Sequence, residues 1–114
     1  MHPTPGSVFD REFALTRVGG DPQLLKEIAV LFLEHYPQWT GALHAAALRG
    51  DANALERAAH ELKGSVANFG AGAAVEAALR LERLGRSRDF EGAMPAIQAL
   101  ELALAALRPE LESL

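Results

Sequence analysis

No cysteine occurs anywhere in the 114 residues, which removes disulfide scaffolds, thiolate metal sites and cysteine nucleophiles together. Aromatic residues are scarce, at 6%. Basic residues number 11 against 15 acidic ones, for a net charge of −4, and they form no block. A nucleic-acid binder needs a positive face to displace counterions, so nucleic acid is not an expected partner. No apolar run approaches the ~20 residues that cross a bilayer. The opening MHPTPGSVFD lacks the cationic and then apolar order of a secretory signal. A cytoplasmic location without membrane contact is therefore expected. Neither GxxxxGKS/T nor a GxGxxG after a strand is present, so the chain has no cradle for nucleotide phosphates.

What the chain does have is 22 alanines and 18 leucines, both strong helix formers. Residues 1–8 hold two prolines, a glycine and a serine and read as a flexible lead-in or linker end. Residues 9–114 read as one domain. Asp10 can cap a short first helix from Arg11 to Val18, with Phe9 and Phe13 one turn apart as core, and Gly19-Gly20 stops it. Asp21 at an N-cap and Pro22 at the first helical position open a long second helix. Its stripe of Leu25, Ile28, Phe32, Tyr36, Trp39, Leu43 and Ala46 follows one helix face. Pro37 interrupts that run and is expected to kink it.

Gly50-Asp51 ends the second helix and caps a third, Ala52 to Asn68, whose face carries Leu55, Ala58, Ala59, Leu62, Val66 and Phe69. A fourth helix is expected from Ala74 to Arg86 after the break at Gly70. A fifth starts at Asp89 or Gly92, carries Met94, Ile97, Leu100, Leu104 and Leu107, and stops at Pro109. Amphipathic helices with short connections predict an all-α, antiparallel up-and-down four-helix bundle with a short additional N-terminal helix across one end. The apolar stripes are consumed within one bundle, so a monomer is expected.

One helix face carries chemistry. At roughly 100° per residue, His60 stands about 155° from the centre of the third helix's apolar stripe and points to water. Side chains lean toward the helix N-terminus, so residue 64 is the one that would cover the imidazole. That residue is Gly64, and Ala67 a turn further on is also small. A glycine in mid-helix costs about 1 kcal/mol relative to alanine, a cost that makes sense if something bulky approaches the ring. Lys63, three residues on and taken as solvent-exposed, can bring its ammonium beside the ring edge. There it would disfavour the imidazolium and stabilise an anion on the ring nitrogen. An accessible neutral imidazole with a clear flank and a cation beside it suits a nucleophile that holds a phosphoryl group.

The segment AHELKGSVANFGA at 59–71 resembles the signature H-x-L-K-G-(S/A)-x-x-N-x-G-A of the histidine phosphotransfer (HPt) domain family of two-component phosphorelays. His60, Leu62, Lys63, Gly64, Ser65, Asn68, Gly70 and Ala71 carry the match. FDREFALTRVGGDPQLLKEIAVLFLEHYPQW is similar to the family's first two helices, and LERLGRSRDFEGA to the end of its fourth, so the likeness runs from about residue 9 to 107.

The resemblance implies that His60 is the phosphorylated nucleophile, Lys63 the cation beside the phosphoryl group and Gly64 the residue that permits access. Glu56, Arg57 and Ala67 around the histidine would dock partners: response-regulator receiver domains and a hybrid sensor histidine kinase. No cofactor is expected on this chain, the Mg²⁺ of the transfer belonging to the receiver. The chain would be a phosphocarrier and not an autonomous kinase. Many members of the family place a Gln 22 positions after the histidine, where this sequence has Glu82. Glu82 falls on the apolar side of the fourth helix, between Val75 and Ala78, and a carboxylate there needs a partner. Accepting from His60 Nδ1–H would leave Nε2 free to attack. The two can meet only at the seam between their helices, which the sequence leaves open.

Two competing readings predict different chemistry. A helical adaptor that only docks a receiver or kinase has no need for His60, Lys63 and Gly64 together. A metal-binding bundle would need paired Glu-x-x-His ligands, and His35 and His44 have no partner at i+4.

Overall fold

The computed structural model describes residues 3–114. Five helices follow in order: α1 (Arg11–Arg17), α2 (Pro22–Arg49), α3 (Ala52–Ala67), α4 (Gly72–Arg86) and α5 (Ala93–Glu112), with no strand among the described residues. The last four form the antiparallel bundle. α2 packs against α3 and α5, and α4 packs against the same two, while α1 leans on α2. No helix among the described residues is long and apolar enough to cross a membrane.

The caps lie where the sequence places them. Asp10 accepts from the Phe13 amide at 3.0 Å, Asp21 from Gln23 and Leu24 at 3.0 and 3.2 Å, and Asp51 from Ala54 at 3.0 Å. Each satisfies amides that a helix start leaves unpaired. α2 runs unbroken through Pro37, and the Thr40 hydroxyl donates to the Pro37 carbonyl at 3.1 Å. The core is mostly leucine and alanine, with Leu43, Leu55, Leu62, Leu81, Leu100 and Leu107 fully buried. Phe32 joins it to an aromatic cluster, stacked on Tyr36 and edge-on to Phe69, each at 5.4 Å between centroids. Leu48 and Leu102, at 85% and 73% exposure, stay outside the bundle's core.

Several expectations need correction. α4 begins at Gly72, two residues before Ala74. The reason lies in the segment expected to be a free lead-in. Its first two residues lie outside the described residues, but Thr4 to Ser7 form a turn laid against the start of α4. The Ser7 carbonyl accepts from the Ala73 amide at 2.9 Å, supplying the partner that α4 otherwise lacks. Only glycine fits at 72, where a β-carbon would stand 1.8 Å from the Thr4 carbonyl oxygen. α5 starts at Ala93 and passes through Pro109 to Glu112. Buried Leu111 holds the last turn against the bundle, and Arg108 pairs with Glu112 at 3.3 Å. Burial thus outweighs the single hydrogen bond that a proline removes. Met94 is 39% exposed, and Ala93 and Ala96 fill the α5 face in its place.

Candidate functional site

The α3–α4 seam is narrow because small residues line it. At Gly85 a β-carbon would stand 2.8 Å from the Glu56 backbone nitrogen, so the two helices touch there backbone to backbone. Ala59 and Ala78, both fully buried, continue the close packing along the core side. One turn from the Gly85–Glu56 contact, on the respective helices, stand Glu82 and His60.

At this separation the two side chains meet. His60 Nδ1 lies 2.8 Å from Glu82 Oε2. The imidazole is 65% exposed, whereas the Glu82 side chain is only 8% exposed. An ionised carboxylate can only accept, so the hydrogen bond places the proton on Nδ1 and leaves the Nε2 lone pair outward. Nε2 has no hydrogen-bond partner among the described residues. Beside the ring, a β-carbon built on Gly64 would meet nothing within 4 Å.

Lys63 does not stand free. Its ammonium donates to Glu82 Oε1, the oxygen that His60 leaves unused, and its side chain is 26% exposed. The expectation of an exposed Lys63 is corrected accordingly: a buried carboxylate within reach outcompetes water for a long flexible cation. Glu82 thus joins ring and ammonium through its two oxygens. Burial pushes its pKa upward. The hydrogen bonds from Lys63 and His60, with their charges, outweigh that, and the pKa falls below the ordinary glutamate value.

The sequence reading missed Arg86. Its Nη2 lies 3.7 Å from Glu82 Oε2 and its Nε donates to Glu56 at 2.8 Å, so it ties the seam together above the carboxylate. Its spacing of four from Glu82 was the available signal. Gly85 was missed as well, and only the partner helix reveals its purpose. Of the residues taken as docking groups, Glu56 is half-buried in its pair with Arg86, Arg57 is exposed and Ala67 is half-buried. Asn53, Glu56 and Arg57 line an open depression on one side of His60. Beyond Gly64 lies an apolar groove between α2 and α3, lined by Ile28, Leu31, His35, Trp39 and Ser65. Trp39 is half-buried there, and its indole N–H donates to Glu61 at 3.3 Å. Asn68 and Gly70 serve the end of α3. Gly70 is left-handed, at φ 62°, and Asn68 accepts from Arg17 at 3.1 Å, tying α1 to that end.

Comparison with known proteins agrees with this arrangement. The family model described as Hpt domain matches residues 27–110. Among solved structures, histidine-containing phosphotransfer protein B (HptB) from Pseudomonas aeruginosa PAO1 superposes with a TM-score of 0.87 at 24% identity, over 95% of this chain and 94% of that one. The HPT domain of the Hpt sensor hybrid histidine kinase from Shewanella gives 0.79 at 17% identity, over 93% and 92%. No curated protein matches the chain in sequence. The two superpositions establish the same helical bundle. The family match spans most of the length and includes the whole of α3 and α4, and on that ground the chain belongs to the Hpt domain family of phosphorelay phosphotransfer modules.

Proposed function

We propose that the chain is a relay intermediate. His60 takes a phosphoryl group from the aspartyl phosphate of one receiver domain, carries it, and gives it to the aspartate of a second. A single observation carries the reading: an imidazole 65% exposed, with Nδ1 held by Glu82 and Nε2 unpartnered among the described residues.

The Nε2 lone pair forms the N–P bond while the O–P bond to the receiver breaks, and the bonding pair leaves with the receiver carboxylate. The Nδ1 proton stays on the ring, which becomes a phosphoimidazolium. Phosphoryl transfer asks little covalent work of a protein and much positioning. Here the positioning is the hydrogen bond to Glu82 and the open flank at Gly64. Lys63 rotates from Glu82 to the phosphoryl oxygens as negative charge arrives, and Glu56, Arg57 and Ala67 meet the receiver surface. The Mg²⁺ of the reaction belongs to the receiver, and phosphate enters from the partner and not from a bound nucleotide.

Incubation with a receiver carrying radiolabelled phosphate tests the proposal. Acid-labile, alkali-stable label on the wild type and none on a His60→Gln variant is the expected result. If no receiver of the source organism labels the wild type, the chain is an adaptor that only docks.

A further inference from the structure

We infer that Glu82 also acts after the first transfer: it retains the Nδ1 proton on the phosphorylated ring and so keeps the phosphohistidine able to donate at alkaline pH. This rests on the carrier reading and concerns the second half of its cycle. Once Nε2 carries the phosphoryl group, the protonation of Nδ1 decides the leaving group. With the proton present, attack by a receiver carboxylate breaks the N–P bond, the pair returns to Nε2 and neutral imidazole departs. Without it, the same cleavage would release imidazolate, a far poorer leaving group. Donation therefore depends on one proton.

The geometry is suited to holding that proton. A carboxylate oxygen 2.8 Å from Nδ1 favours the cationic ring by direct attraction, and with the Glu82 side chain only 8% exposed the carboxylate's side of the pair is shielded from water. An amide at this position would accept the same hydrogen bond without the charge. Other charged groups close by are few. α3 supplies Glu56, Arg57 and Lys63 around the ring, and α4 supplies Arg86. From α2, His35 lies across the neighbouring groove beside Ser65. Arg86 shares the Glu82 carboxylate and offsets part of its charge, and the Lys63 ammonium stays near the ring, on Glu82 before transfer and on the phosphoryl oxygens after it, so both cations work against proton retention. The carboxylate stays ionised at neutral pH, since its pKa is lowered.

The test needs no partner protein. Phosphoramidate, a small-molecule donor to imidazole nitrogen, loads His60, and ¹⁵N and ³¹P NMR follow Nδ1 protonation of the phosphorylated ring against pH. Glu82→Gln should lower the midpoint by about one pH unit, a tenfold change in proton affinity. The alkaline limb of transfer to a receiver should move by the same amount. Lys63→Ala, which removes a cation that disfavours the charged ring, should move the midpoint the other way. Equal midpoints in wild type and Glu82→Gln, or a fall in Lys63→Ala, overturn the inference and leave the carrier reading standing. Failure of phosphoramidate to load the wild type, under conditions that load free imidazole, removes both.

Discussion

Gly85 of α4 lies directly on the backbone of Glu56 in α3, with 2.8 Å between a β-carbon built at 85 and the Glu56 nitrogen. This contact sets how near the two helices come, and so whether Glu82 can reach His60. Gly85→Val should overpack the seam and cost about 1–3 kcal/mol of stability, read by urea denaturation. The variant should also lose the Nδ1-protonated tautomer, to be checked by ¹⁵N NMR. A variant that is destabilised but keeps the tautomer would show that the seam does not position the ring.

Gly64 is the opposite case, a glycine with open space around it. Gly64→Ala should stabilise α3 by up to about 1 kcal/mol, since nothing resists the methyl group. Gly64→Leu should keep the fold and strongly reduce transfer from a receiver, because the side chain would lean over His60. Undiminished transfer in the leucine variant would remove the argument from access.

Lys63→Ala deletes a charged hydrogen bond to a buried carboxylate. Transfer should slow at least about tenfold, as expected for a lost cation near developing charge. Helical content by circular dichroism should be unchanged, since His60 and Arg86 still hold Glu82.

The lowered Glu82 pKa links stability to pH in a definite direction. The folded chain holds the carboxylate ionised more readily than the unfolded one. Its contribution is therefore complete above the unfolded glutamate pKa, about 4.3, and is lost as pH falls through the folded value. Wild type should exceed Glu82→Gln in urea midpoint near pH 6, and the gap should narrow as pH falls below about 4.3. A gap that stays constant over this range would mean that the carboxylate charge contributes nothing.

Arg88 ends α4 in the left-handed region at φ 59°, with its amide donating to Gly85 at 3.1 Å and that of Asp89 to Leu84 at 2.9 Å. This is the Schellman arrangement, in which glycine is favoured at the left-handed position. Arg88→Gly should raise stability by about 0.5–1 kcal/mol and leave transfer unchanged, as measured by thermal unfolding and the receiver assay.

Much of the bundle was legible in the chain because its signals are local. Asp10, Asp21 and Asp51 cap the turns that follow them, and the spacing of apolar residues identifies the buried faces. Where a distant segment intervenes, local reading falls short. The start of α4 depends on Ser7, more than 60 residues away, and α5 passes Pro109 because Leu111 finds a place in the core. Lys63 was misplaced for the same reason: its acceptor lies on another helix.

The order of residues along α3 is enough to place His60 on the solvent side with Gly64 one turn on, since helix geometry ties position to direction over a few residues. Whether Glu82 touches that ring was decided only by the distance between two helices. That distance comes from Gly85 and its neighbours meeting α3 backbone to backbone, a contact between residues far apart in the chain that no periodicity encodes.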